Sequence, residues 1–180
     1  MNPDPTPANP FALPFDELDG AAAFTSEPVL VAARDVEAFA ALTGDHHPAH
    51  LDPTWAADGP FGRPIAHGLL VLSQAVGTLP LDPERVIALR RLRDVVFKRP
   101  VGVGDVITVA CAIGARRALD GRSGLVDCAC RIRDADGRLS VRAVIEVLWR
   151  REPVSAVAAG GDDEIAPVTR DRAGKLRVLL

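Results

Sequence analysis

No charge of either sign dominates this sequence of 180 residues: 21 Lys and Arg stand against 24 Asp and Glu, a formal net charge of −3. A chain so nearly balanced is not a general nucleic-acid binder, and an anionic ligand has to be met by a local basic patch. Cysteine is scarce. Cys111, Cys128 and Cys130 form an odd set without paired C-x-x-C spacing, which argues against a cysteine-built zinc or redox motif. Three buried reduced thiols are expected instead, and with them a cytoplasmic location. Long apolar runs are also missing. The most apolar stretch, Ile65 to Leu79, falls short of the roughly 20 residues that span a bilayer. It also carries His67 and Gln74, so it reads as a buried helix. The N-terminus has neither a basic start nor an apolar run, so no signal peptide is expected. No internal repeat is present.

The length suits one domain, and 48% hydrophobic residues can build a sizeable core. Prolines at 3, 5, 7, 10 and 14 make residues 1–24 an expected flexible arm. Pro28 to Ala33 reads as a short strand, followed by a helix with Asp35 as N-cap, Val36, Phe39 and Ala40 on one face, and Gly44 as its stop. Pro48 and Pro53 predict an irregular loop from Asp45 to Pro53, with a short helical turn around Trp55 to Asp58. A Gly-rich turn, Gly59 to Gly62, leads to Pro64, which reads as the first-turn residue of a helix running to Leu79. That helix is apolar nearly all round, so a curved sheet is expected to enclose it.

After Pro80 the periodicity becomes that of strands, over Val86 to Phe97, Asp105 to Ala115, Leu125 to Arg133 and Leu139 to Arg150. Ile107, Val109, Cys111 and Ile113 share one face of the second run, and Val126, Cys128, Cys130 and Ile132 one face of the third. Asp120-Gly121 and Asp136-Gly137 mark antiparallel hairpin connections. The fold class is therefore α+β, a curved antiparallel sheet around a central apolar helix, over residues 25–152. Residues 153–180, rich in Ala and Gly with a short acidic run, read as a mobile tail in which Leu176 to Leu180 could dock as a last strand.

All four histidines, His46, His47, His50 and His67, fall in one window that also holds Asp45, Asp52 and Asp58. An Asp and a His on a Pro-bounded loop before a buried helix suit acid/base chemistry, although a structural role for each stays open on the residues alone. Asp45, His46, His47 and His50 are competent metal ligands. Pro48 breaks the helical spacing that would aim two imidazoles at one ion, so no metal or other cofactor is expected.

Thr43-Gly44-Asp45-His46-His47-Pro48-Ala49-His50-Leu51-Asp52-Pro53, then Phe61-Gly62-Arg63-Pro64-Ile65-Ala66-His67-Gly68-Leu69-Leu70, resembles the hydratase motif of MaoC-like proteins and (R)-specific enoyl-CoA hydratases. Phe97-Lys98-Arg99-Pro100-Val101 with Gly104-Asp105 is similar to that family's turn between strands. The resemblance covers about residues 27 to 150 and implies a hot-dog fold. It also implies a hydro-lyase that adds or removes water across a 2-enoyl or 3-hydroxyacyl thioester of CoA or a carrier protein, without a cofactor. Asp45 and His50 would hold and activate the water, the Gly68 backbone N–H would face the thioester oxygen, and Ser73 would line the site. One position departs from the family pattern. His47 replaces an asparagine, so an imidazole must take over one hydrogen bond of that amide or reshape the pocket, unless it serves as an extra base or marks a branch without activity.

Phe61, His67 and Arg99 join Ser73 as candidate substrate-binding residues. Arg90, Arg91, Arg93, Lys98 and Arg99 are the densest basic stretch, either a rim for the CoA phosphates or a solvated sheet face. Trp55 and Phe61 are candidates for an acyl pocket or for core. Two other functions remain in view: a hot-dog thioesterase, disfavoured because no carboxylate lies between Ile65 and Leu79, and a non-catalytic acyl-binding or assembly protein. In this fold the sheet edge pairs between copies, so a homodimer or higher homo-oligomer is expected, with neither nucleic acid nor membrane as partner.

Overall fold

The computed structural model describes residues 9–18, 20, 23–152, 169–170 and 176–177. Strands β1 (Ala23–Thr25) and β2 (Val29–Leu30) are followed by helices α1 (Ala33–Thr43), α2 (Pro48–Leu51), α3 (Pro53–Ala57) and α4 (Gly68–Thr78). Four long strands then run in sequence, β3 (Val86–Phe97), β4 (Val106–Ala118), β5 (Ser123–Asp134) and β6 (Leu139–Arg150). The sheet order is β1-β4-β5-β6-β3, with β2 also on β4, and every pairing is antiparallel. The α+β class stands.

Alternation sets the core. The inward residues predicted on β4 and β5 are all buried, and β6 adds Val141, Ala143, Ile145, Val147 and Trp149. On the other side Leu70, Val71, Leu72 and Ala75 of α4 join the same cluster, so an apolar helix lies against the sheet. Cys111 and Cys130 face each other across β4 and β5 with Sγ atoms 3.0 Å apart, and all three cysteines are free and buried, as expected. Contacts with the Cys128 and Cys130 thiols, reinforced by burial, push the Cys111 thiol up, so it stays protonated.

Several boundaries differ from those read in the sequence. Helix α1 begins two residues before Asp35, with Ala32 as N-cap, which places Asp35 in a first turn where its charge suits the helix dipole. Only Val29 and Leu30 of the first expected strand pair with β4. Pro48 and Pro53 do not keep their loop irregular: each opens a short helix at a first-turn position, where a missing N–H costs nothing. Pro64 does not open the apolar helix. Residues 64–67 are extended because their backbone bonds elsewhere, Ile65 N–H to Ala49 and Ala66 N–H to Val101, so α4 starts at Gly68.

Part of the expected N-terminal arm is packed. Two 3-10 turns, Pro10–Ala12 and Phe15–Glu17, deliver Phe11, Phe15 and Leu18 to the core, and the Asn9 side chain donates to the Pro80 carbonyl beyond α4. Residues 1–8 lie outside the described residues, as does most of the 153–180 tail. Within that tail β7 (Thr169–Arg170) pairs with β8 (Leu176–Arg177), apart from the main sheet.

Candidate active site

The site is assembled where α1 ends. Gly44 takes φ 79°, a left-handed conformation that glycine adopts without strain, and its N–H closes the helix on Ala40. Asp45 follows at once. Its N–H donates to Thr43 Oγ1 at 3.3 Å, the Thr43 hydroxyl itself donates to Phe39, and Asp45 Oδ1 accepts the His47 N–H at 3.3 Å. An exposed carboxylate is thus aimed by its own turn.

His47 accepts the Ala49 N–H on Nδ1 at 3.2 Å and so caps α2. The asparagine of the family pattern could make the same bond through its amide oxygen, because Asn is among the preferred N-caps. The substitution therefore preserves a cap. The His47 ring sits edge-on to Trp55 at 5.3 Å, both residues exposed.

Carried inward by α2, His50 turns its Nδ1 to the Ile65 carbonyl at 2.7 Å. A carbonyl only accepts, so Nδ1 carries the proton and Nε2 keeps its lone pair. That Nε2 lies 3.9 Å from Asp45 Oδ2. The gap is too wide for a direct hydrogen bond and suits an oxygen touching both groups at about 2.8 Å.

His67, expected at the substrate, lies behind His50. It is 3% exposed and absent from the residues lining the adjacent cavity; its ring stacks on His50 at 3.8 Å and an interplanar angle of 30°. Asp45, His50 and His67 each present a donor atom within 4.8 Å of the others, the grouping among the described residues able to hold a metal ion. It differs from the four ligands considered in sequence. His67 Nε2 donates to the Asp45 carbonyl at 3.0 Å, so the nitrogen nearest the carboxylate bears a proton, and the donor set offers two lone pairs rather than three.

A cavity of about 450 Å³ adjoins His50. Ile65, Ala66, Gly68, Leu69, Val71 and Phe97 form apolar walls, and Phe61, Lys98 and Arg99 also line it. Gly68 opens α4, and the first N–H groups of a helix have no acceptor within it. A Cβ at Gly68 would lie 2.8 Å from the Phe97 ring, so the ring reaches the backbone only because glycine is there. Ser73 is not among the lining residues: it is exposed, and its hydroxyl donates to Leu69.

The basic stretch divides. Arg90 and Arg91 pair with Glu146 and Arg93 with Asp127, ion pairs on the sheet, whereas Lys98 and Arg99 stand at the cavity. Arg63, unremarked in sequence except within the motif, forks onto Asp105 with both bonds at 2.7 Å. Burial opposes the charge on Asp105, but the bonds from Arg63 and the Gly102 N–H outweigh it and hold the carboxyl below its ordinary range.

The chain matches the family described as MaoC like domain over residues 17–127. It is 32% identical over 136 residues to a 3-hydroxybutyryl-CoA dehydratase of Methylorubrum extorquens, covering 73% of this chain and 83% of that protein. With an (R)-specific enoyl-CoA hydratase of Aeromonas caviae it shares 41% identity over 85 residues, 47% of this chain and 63% of the relative. Among solved structures, the Aeromonas caviae (R)-hydratase superposes with a TM-score of 0.61 at 32% identity, covering 73% of this chain and 96% of that one. A Mycobacterium tuberculosis protein described as having a double hot-dog fold superposes with a TM-score of 0.68 at 26% identity, covering 79% and 45%.

Proposed function

Since the chain belongs to the MaoC-like domain family and has its hot-dog fold, we propose that it is an acyl-thioester hydratase or dehydratase with Asp45 and His50 as acid/base pair. One observation carries the residue assignment: the His50 lone pair and the Asp45 carboxylate converge, 3.9 Å apart, beside an apolar cavity floored by the first turn of a helix. Hydration of a 2-enoyl thioester places hydroxyl on C3 and a proton on C2. His50 Nε2 takes one proton from the water as its oxygen bonds to C3, leaving the hydroxyl there, and Asp45 orients that water and relays the same proton from His50 to C2, so both groups end as they began. Charge grows on the thioester oxygen in between. The Gly68 N–H, at the positive end of α4, opposes that charge, and such a donor is typically worth about 3 kcal/mol of barrier.

Lys98 and Arg99 supply cations for the phosphates of CoA or of a carrier protein's prosthetic arm, and none of the described lining residues is acidic. The thioesterase reading gains no support from α4, which carries no carboxylate. Strand β3 lies at the end of the sheet path and leaves Ile87, Leu89 and Leu92 exposed, so a second copy pairing there makes the homodimer. The buried free thiols suit the reducing cytoplasm. No helix among the described residues is long and apolar enough to cross a membrane.

The test is the loss of conjugated-enoyl absorbance with crotonyl-CoA and longer 2-enoyl-CoA esters. Wild type turns over, and Asp45→Asn and His50→Ala each lose about 100-fold or more, within the range for positioned proton transfer. Full activity in either variant refutes the assignment.

A further inference from the structure

We infer that His67 is a positioning residue, holding the Asp45 carboxylate in place through the Asp45 carbonyl; the inference rests on Asp45 and His50 being the reacting pair. His67 is the least exposed polar residue of the site at 3%, its ring 3.8 Å from the His50 ring and 5.1 Å from the Phe39 ring. An apolar residue would suit those surroundings, and a histidine there has a cost. Its Nδ1 is buried with no hydrogen-bond partner among the described residues, the kind of orphaned atom that natural cores avoid.

The other nitrogen explains why the imidazole is kept. Nε2 donates to the Asp45 carbonyl at 3.0 Å and lies 3.9 Å from the same residue's Oδ2, so one N–H fixes the backbone next to the reacting carboxylate. His67 also occupies the N-cap position of α4, where Ser, Thr, Asp and Asn are preferred for their side-chain bond to the helix. It makes no such bond. The side chain crosses instead to the α1–α2 loop, 22 residues earlier.

His67 therefore joins two parts of the reaction that the chain supplies separately. The Gly68 N–H, which faces the growing oxyanion, is the next residue, and Asp45, which handles the proton, hangs from the His67 ring. With both ends fixed, the distance between oxyanion donor and acid does not depend on the flexibility of the loop. The ring does not line the cavity, so its loss lowers turnover and leaves affinity for the ester unchanged.

Two replacements separate the donor from the ring. His67→Phe keeps a flat buried ring and removes the N–H; His67→Gln removes the ring and can carry an amide N–H to the position of Nε2. On the longest 2-enoyl-CoA ester that wild type hydrates, His67→Phe loses about 10- to 100-fold in kcat with KM within about twofold, the scale expected when a catalytic group is misplaced by about 1 Å. His67→Gln recovers most of that loss. Equal damage in both variants, or a rise in KM with kcat intact, overturns the inference and makes the ring a packing element. Asp45→Asn, assayed alongside, tells the two levels apart: unchanged turnover there removes the acid/base reading itself, whereas a loss there with His67→Phe unimpaired removes only the role of His67. A readout on the unaltered protein guards against a misfolded variant. The long-range proton–nitrogen NMR spectrum should place the His67 proton on Nε2, and a proton on Nδ1 overturns the inference.

Discussion

Gly68→Ala tests the close approach on which the cavity depends. The added Cβ would meet Phe97 ring atoms at 2.8, 2.9 and 3.1 Å. Against an ordinary carbon–carbon contact of roughly 3.6 Å, the shortest falls about 0.8 Å short. Alanine is the better helix former by up to about 1 kcal/mol, which offsets part of the strain, and overpacking typically costs about 1–3 kcal/mol. The net effect on stability is a loss of about 0–2 kcal/mol, read as a small drop in the urea midpoint. Activity should suffer more. Either the ring swings toward the cavity it lines or the first turn of α4 moves by most of that 0.8 Å, and a displacement near 1 Å can cost about 100-fold. We expect kcat/KM for a 2-enoyl-CoA ester to fall about 30-fold, equivalent to about 2 kcal/mol of barrier. Gly68→Ala combined with Phe97→Leu should lose less than the two single losses added, because the shorter side chain relieves the clash. Additive losses, or a Gly68→Ala enzyme with wild-type kcat/KM, would refute the reasoning.

Replacing His47 by Ala should cost about 1 kcal/mol in chemical denaturation, the usual value of an N-cap, whereas His47→Asn, which keeps an acceptor for the Ala49 N–H, should stay within about 0.5 kcal/mol of wild type. Thr43→Val removes the hydroxyl that accepts the Asp45 N–H and donates to Phe39; kcat should fall several-fold in the absorbance assay with KM unchanged. Asp105 is held below its ordinary value in the folded chain, so its contribution to stability is complete above the unfolded value of 3.8 and is lost as pH falls through the lower folded one. Thermal melts of wild type should therefore drop relative to Asp105→Asn as the pH is lowered below 3.8, and parallel curves would remove that pair from the account.

The core was legible because β4 and β5 alternate strictly: one register decides which side of each strand is buried, and Cys111, Cys130, Ile107 and Ile132 followed from it. Asp45 was legible for a local reason. Gly44 ends a helix, and the residue after such a stop stands at a loop mouth. What sequence could not supply was the backbone at residues 64–67. Pro64 suits the start of a helix, but hydrogen bonds from Ile65 to Ala49 and from Ala66 to Val101 come from the far side of the fold and override that preference. The N-terminal segment failed similarly. Its prolines argue against regular structure, yet Phe11 and Phe15 need only irregular turns to become buried.

The same distinction bears on how the candidate site attains its geometry. Asp45 carries a side chain that is 53% exposed, so packing cannot orient it. Its orientation comes from polar contacts of three different origins: the Thr43 hydroxyl and His47 N–H, close in sequence, and the His67 imidazole, remote. The local two are encoded in one turn and form wherever that turn forms. His67 reaches Asp45 from a segment that backbone bonds to Ala49 of α2 and to Val101 hold in place, so this contact depends on the tertiary fold and not on the local turn. His50 depends on the same segment, since its Nδ1 proton rests on the Ile65 carbonyl. Loosening residues 64–67 should therefore disturb both proposed acid/base groups together, whereas damage to the Thr43 turn should disturb Asp45 alone.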